Sequence, residues 1–411
     1  MNEEILRYQM DMCTGCGACY AVCPRDAITM KITSDGVYKP FIYFSKCSGC
    51  KLCERACPLF TFNRKHVKYG IGDFIHCYVG YSTNMFSRWK ASSGGIVTTI
   101  LLTLLEERVI SGALDAIDTP KDPLRPSWKL VNSKEEVLNA MGSKYCPVKP
   151  SFKVKDLVKE SGKIAVVGLP CHIWAFRRLE EIDRRLKDKV FIHIGLFCGK
   201  CPNFYATTYF LRKVVSVNEK DVIKISYRGK GWPGKITVIT KQGDEFDVEF
   251  INWINFSYYP HFVPTRCVFC YDITNQLADI SLGDAWGLAR DNIGSSVIIT
   301  RTSVGDSVIQ HLRDAGKLAL REVDPEQVSR GQGLERKAKN TLIRAYMWQR
   351  IFRKQLPYPL PRPPNFSVRD WVLNLGYCTW LYFAQSMPIR IAFCNLSPYL
   401  TRILALARRK V

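Results

Sequence analysis

Cysteines are the residues of this sequence whose spacing most directly dictates a chemistry. Between Met12 and Pro58 they form two runs in one register, CTGCGACYAVCP and CSGCKLCERACP, each C-x2-C-x2-C-x3-C-P. Three thiolates crowded into seven positions, a fourth close behind and a closing proline suit the corners of a [4Fe-4S] cubane, and in paired runs the fourth thiolate crosses to the other cluster. The register therefore assigns Cys13, Cys16, Cys19 and Cys57 to one cluster, and Cys47, Cys50, Cys53 and Cys23 to a second. Gly15, Gly17 and Gly49 allow tight turns that aim backbone N–H groups at cluster sulfurs, and Pro24 and Pro58 end the runs. Such sites move single electrons. Two rival chemistries fit poorly. A disulfide framework needs an oxidising compartment, whereas the opening MNEEILRYQM lacks the basic region and apolar core of a signal peptide, so a cytoplasmic location is expected. Zinc ribbons use two cysteine pairs separated by a longer gap.

A second group of cysteines is scattered. Cys267 and Cys270 form a C-x2-C pair in RCVFCYD; Cys171 follows the strand-like KIAVVGLPCH, and Cys198 ends the strand-like KVFIHIGLFC. Four thiolates suffice for a third cubane. Two alternatives stay open: Cys201, three residues after Cys198, can take its place, and a structural zinc can hold the C-x2-C pair.

The elements that must position these residues alternate in type. HCYVGYS, from His76, reads as a strand; Ser93-Gly94-Gly95 opens the helical pattern IVTTILLTLLEE; SKEEVLNAM reads as a helix leading into the turn Gly142-Ser143-Lys144-Tyr145; WAFRRLEEIDRRL continues as a helix after Cys171. Strands alternating with helices predict an α/β domain around a largely parallel sheet, with ligands at the carboxyl ends of the strands, where Cys171 and Cys198 would lie. A Ser-Gly-Gly turn at a helix N-terminus offers free N–H groups and the positive end of the helix dipole to a phosphate or a ring carbonyl. The plainer alternative is an N-cap before a core helix. ITNQLA is expected to be helical, ADISLGDAWG to be a strand with a Gly-Asp turn, and YRGKGWPGKI to be either a strand and turn over the site or a surface hairpin.

With 411 residues, 47% of them apolar, the chain is long enough for a small cluster domain beside a larger one. The formal charge of +22 points to an acidic partner: an anionic cofactor, an acidic redox protein or an anionic membrane surface. No nucleic-acid-reading motif is present in the sequence, which argues against nucleic acid. Leu59 to Phe74 reads as a linker. Gly331 to Gln355 reads as a basic amphipathic helix and Leu356 to Pro364 as a stiff proline-rich spacer. The uncharged stretch Trp371 to Ile389 approaches the length of a membrane span but carries Asn374, Gly376, Gln385, Ser386 and Pro388. It is expected to form an amphipathic hairpin on a partner subunit or membrane surface, or to pack on the chain's own core, with Cys378 and Cys394 as buried thiols.

The segments SSGGIVTTILLTLLEE, GSKYCP, VVGLPCHIWAFRRL, IGLFC, ISYRGKGWPG, CVFCYD, ADISLGDAWG and SSVIITRT occur in this order and resemble the family of beta subunits of coenzyme F(420)-reducing hydrogenases and F(420)H2 dehydrogenases. The resemblance covers roughly His76 to Glu335. It implies an α/β (α+β) architecture: a two-[4Fe-4S] ferredoxin domain over 1–65, a flavin-binding catalytic domain over 76–335 and a basic helical extension over 336–411. It implies FAD and a third [4Fe-4S] cluster on Cys171, Cys198, Cys267 and Cys270, with the turns Ser93-Gly94-Gly95 and Gly142-Ser143-Lys144-Tyr145 lining the flavin. The implied activity is electron exchange between coenzyme F(420) or another hydride carrier and a redox protein or complex subunit, with no catalytic side chain required. Arg228, Lys230, Lys235 and Arg301 are candidates to attract an anionic coenzyme, or else solvated charges. The rivals are an iron–sulfur flavoprotein reductase acting in pigment or polysaccharide metabolism, and a non-catalytic electron-wiring subunit.

Overall fold

The computed structural model describes residues 11–60, 68, 70–289, 291–356 and 365–384. The proline-rich spacer beyond Leu356, most of the linker after Phe60 and Cys394 lie outside these residues.

In the cysteine-rich unit, helices Ala18–Val22 and Leu52–Ala56 flank an antiparallel pair, β1 (Ile28–Ile32) and β2 (Tyr38–Ile42). This unit is docked, not tethered. Ala18, Ala21 and Ala56 share one buried cluster with Ile173, Phe176 and Leu179 of helix Pro170–Ile182, small side chains letting the helices approach closely. Gly17 has φ +78°, and a Cβ there would lie 2.2 Å from the Pro150 side chain, so backbone conformation and close approach both require glycine. Lys153 Nζ donates to the Tyr20 carbonyl at 2.9 Å, and Asp26 pairs with Lys153 and Lys155 at 3.0 and 2.6 Å.

The main body is built on β3 (His76–Ser82), β4 (Gly112–Thr119), β5 (Asp122–Val131), β6 (Ile164–Gly168), β7 (Val190–Leu196), β8 (Val222–Ser226), β9 (Lys235–Thr240), β10 (Glu245–Glu249), β11 (Ile280–Asp284), β12 (Ser296–Thr300) and β13 (Leu318–Glu322). Eight of these form one sheet in the order β13-β3-β12-β11-β7-β6-β4-β5. The expectation of a largely parallel sheet holds only at its centre. β4, β6, β7 and β11 run parallel, while β5 on one side and β12, β3 and β13 on the other are antiparallel. The parallel joins contain helices and β4–β5 and β11–β12 are short returns, whereas β3 pairs with β12 and β13 from more than 200 residues away, so strand–helix alternation recovers the centre alone.

The sheet is buried on both faces. Ala165 and Val167 of β6 face Ile96, Ile100 and Leu104 of helix Ile96–Glu106, while Ile164 and Val166 face Ile173 and Phe176. A second sheet, β10-β9-β8, packs over Tyr209, Phe210 and Trp253. The basic stretch from Gly331 is not one helix: Gly333, in a left-handed conformation, ends helix Pro325–Gln332 and starts helix Leu334–Arg350. Helix Val368–Ala384 packs on the chain's own core, burying Cys378 and Leu381 beside Trp348 and Phe269. Its opposite face leaves Val368, Val372 and Phe383 exposed. Among the described residues no helix is long and apolar enough to cross a membrane.

Candidate redox site

Two of the three cysteine groups lie within the docked unit. Cys19 feels the charges of Cys13, Cys16, Cys57 and Cys53, and Cys57 those of Cys16 and Cys13, which places the first expected set together. Cys53 feels Cys50 and Cys23. Backbone N–H groups reach sulfur as the tight turns suggested: Gly15 donates to Cys13 Sγ at 3.4 Å and Ala27 to Cys23 Sγ at 3.3 Å. Cys47 and Cys50 are exposed, among the exposed side chains of Tyr43 and Phe44.

The third group is assembled from distant segments. Cys171 sits in the first turn of helix Pro170–Ile182, just past β6; Cys198 lies two residues past β7; Cys267 is in the short helix Thr265–Val268 and Cys270 follows it. All four, with Cys13, Cys146 and Cys201, line an enclosed cavity of about 80 Å³. Cys171 feels Cys198, Cys16, Cys267 and Cys270, so this group adjoins the first set across the docking interface. Cys201 is part of the neighbourhood as well: its backbone N–H donates to the Cys267 sulfur, and its own thiol reaches the Pro202 carbonyl at 3.7 Å.

One side chain holds this assembly in place. ITNQLA is a loop, not the expected helix, because Asn275 adopts φ +59° and Asp272 caps the Gln276 N–H at 3.1 Å. Asn275 Nδ2 donates to the Gly168 carbonyl at 2.8 Å and the Leu196 carbonyl at 3.2 Å, tying together the ends of the two strands that precede Cys171 and Cys198. Gly195 makes room for it: a Cβ there would lie 2.5 Å from the Asn275 carboxamide carbon.

Burial is the main influence on these thiols. It pushes Cys13 and Cys270 up to about 11 and Cys57 to about 12, and raises Cys171 and Cys198 well above the ordinary thiol value. Binding a cluster must therefore expel protons. Among the described residues no three metal-binding side chains close on a point as one ion requires. A cubane makes a different demand, because its thiolates attach at four outer corners of a larger body, and a small enclosed cavity walled by sulfur fits that body.

Against the cysteine group lies a cavity of about 1390 Å³, above the usual range for small-molecule sites and roomy enough for a dinucleotide. Its wall includes Ser93, Gly95, Gly142, Ser143, Lys144 and Tyr145, as well as Cys198, Cys201, Cys267 and Cys270. The two expected turns meet directly, with the Ser143 N–H donating to Ser92 Oγ at 2.8 Å. Ile96, Val97 and Thr98 also line the cavity, and first-turn N–H groups lack intrahelical acceptors. Gly94 departs from the expectation: its N–H is taken by Ser296 Oγ at 2.9 Å. Lys144 is nearly enclosed, its Nζ 3.3 Å from the Gly142 carbonyl and 3.6 Å from Asp118.

The candidate surface cations separate. Arg228 is buried, paired with Asp284 at 2.7 Å and donating to Tyr145 Oη at 3.3 Å, and it alone of YRGKGWPGKI lines the cavity. Lys230 pairs with Glu245 and Asp247, Lys235 lies 3.7 Å from Glu249, and Arg301 donates to the Asp73 and Thr274 carbonyls, all away from the cavity wall. Sequence reasoning missed Asp115 of β4, which lines the cavity and which burial pushes up to about 7, against the pull of its own Ala116 N–H and of Lys144. Nothing in its local sequence distinguishes it from a surface aspartate.

Comparison with known proteins follows these divisions. Residues 12–61 match the 4Fe-4S dicluster domain, 77–155 the coenzyme F(420) hydrogenase/dehydrogenase beta subunit N-term model, and 161–326 the corresponding C terminus model. The coenzyme F(420) hydrogenase subunit beta of Methanococcus voltae is 30% identical over 282 residues, 66% of this chain and 92% of that protein. An F(420)H(2) dehydrogenase subunit of Methanosarcina mazei is 27% identical, covering 74% and 84%. A chain of the F(420)-reducing [NiFe] hydrogenase complex from Methanosarcina barkeri shares the fold, with a TM-score of 0.52 over 71% of this chain and 97% of that one, at 22% identity.

Proposed function

This chain belongs to the family of coenzyme F(420) hydrogenase/dehydrogenase beta subunits, and from that premise we propose that it is an iron–sulfur flavoprotein exchanging electrons between coenzyme F(420) and a redox protein or complex subunit. The observation that carries the reading is the shared wall: the large cavity meets Cys198, Cys267 and Cys270, and Cys171 of the same group lies within electrostatic reach of Cys16. Substrate space and the dicluster unit are thus joined through one group of thiols.

FAD, when bound, supplies the conversion between a hydride, which carries two electrons, and the single electrons that a cubane accepts. The chain's own residues do the rest. The N–H groups at the start of helix Ile96–Glu106 and the ammonium of Lys144 are placed to bind anionic or carbonyl oxygens. Arg228, which Asp284 and Tyr145 hold charged despite burial, adds positive potential to the same wall. Asp115 holds a proton near neutrality and can release it into the cavity. Cys171, Cys198, Cys267 and Cys270 would hold one cubane, and the eight cysteines of the dicluster unit two more.

The test is an anaerobic titration of iron-reconstituted protein with F(420)H2, following flavin and cluster absorbance on a sample assayed for iron and FAD. About twelve irons and one FAD per chain, with stoichiometric bleaching of both chromophores, are expected. Cofactors without bleaching would defeat the F(420) assignment and favour a reductase for another substrate. Clusters without FAD would leave an electron-wiring subunit.

A further inference from the structure

The C-terminal extension contributes to the large cavity with residues beyond 326, where the family match ends. Helix Leu334–Arg350 presents Arg336, Lys337 and Arg344 to it, and Lys200 reaches it from the segment after Cys198. Two of these cations are fixed. Lys200 Nζ donates to Tyr377 Oη at 2.8 Å, while Arg344 donates to Asn374 Oδ1 at 2.8 Å and lies 3.9 Å over the Tyr377 ring. Lys339, on the same helix, is neutralised by Asp370 at 2.8 Å. Arg336 and Lys337 differ: among the described residues neither side chain makes a hydrogen bond or an ion pair, although Glu335 also borders the cavity. They repel one another, and Lys337 lies within electrostatic reach of Cys198, at the cysteine end of the space. Adjacent cations without an ion-pair partner, Arg336 exposed and Lys337 partly buried at the cavity wall, are relieved when an anion settles against them.

We propose that Arg336 and Lys337 form an anion site that grips the phosphate- and carboxylate-bearing part of the hydride-carrying coenzyme, so that the extension completes the substrate pocket. The proposal rests on the reading of the cavity as the place of hydride exchange. It assigns the extension a role in ligand binding, where the sequence had left open docking on a partner or membrane and packing on the chain's own core.

The test is equilibrium dialysis of the reconstituted full chain against oxidised F(420) and against its deazaflavin nucleoside, which lacks phosphate and tail. Arg336→Gln/Lys337→Gln should weaken F(420) binding at least about tenfold, the loss of one to two charge-assisted hydrogen bonds, and leave nucleoside binding unchanged. Arg336→Lys/Lys337→Arg should restore most of it. Iron and FAD content and the melting temperature check that the variant is folded. Equal loss for both ligands, or no loss for either, overturns the proposal. If wild type binds neither, the F(420) reading has failed by itself; retention of inorganic triphosphate by wild type but not by the glutamine variant then upholds the anion site, and its absence overturns that too.

Discussion

The two ends of this molecule differ in their most exposed cysteines. At the dicluster end Cys47 and Cys50 stand exposed on a surface with Tyr43 and Phe44, whereas at the cavity end Cys171, Cys198, Cys267 and Cys270 are enclosed. The surrounding charges follow suit. Lys155 pairs with Asp26 in the open, both about half exposed, while the Arg228–Asp284 pair at the cavity is 2% and 14% exposed. On the proposed function, the cavity end would receive the small molecule and the exposed end would face the redox protein. Cys16 beside Cys171 marks where the two ends meet.

Substitutions can break this polarity. The largest effect is expected from Cys267→Ser, which should remove about four irons per chain and uncouple cavity from dicluster unit, so that F(420)H2 bleaches flavin alone. Iron analysis and electron paramagnetic resonance check this, and full iron content with normal coupling would contradict it. Cys50→Ser should do the converse, leaving flavin and the enclosed cluster reducible while reduction of an added protein acceptor falls to background.

Smaller effects sharpen the same contrast. Asp284→Ala leaves a buried guanidinium without its carboxylate and should cost about 3–5 kcal/mol in denaturant melts. Asp115→Asn tests pH. Its carboxyl is raised in the fold from 3.8 to about 7, so the folded chain binds the extra proton and stability should fall as pH rises across that window. The asparagine variant should lose that slope, gaining about 1–3 kcal/mol relative to wild type at pH 8. A slope identical in both proteins would show that Asp115 titrates normally. Smallest is Lys155→Ala: its ion pair is exposed, and the change should stay below about 1 kcal/mol.

The contrast also explains what could be read in the sequence. The dicluster unit places its cysteines by local register, in runs short enough that spacing limits geometry, and they are legible for that reason. Cys171 and Cys198 could be placed at strand ends, because hydrophobic runs mark buried strands. Their meeting with Cys267 and Cys270 depends on strand order, which no local pattern encodes. Residues 273–278 misled because apolar spacing suits a helix, yet Asn275 takes a left-handed conformation to bond two distant carbonyls. Arg228 was indistinguishable from a solvated charge until Asp284 faced it across the sheet. The uncharged stretch Trp371 to Ile389 left docking and core packing both open, because lack of charge suits either; Cys378 and Leu381 pack with Trp348 and Phe269.

The Asn275 clamp gives the enclosed thiols a support that the dicluster cysteines do not share. By drawing the ends of β6 and β7 to the loop that follows Cys270, its side-chain amide ties the segments that carry the enclosed thiols through two hydrogen bonds to main-chain carbonyls. Here Asn275 joins two strand ends through their carbonyls, so a change at that one amide should disturb the enclosed thiols while the dicluster cysteines, held in a separate unit, keep their register.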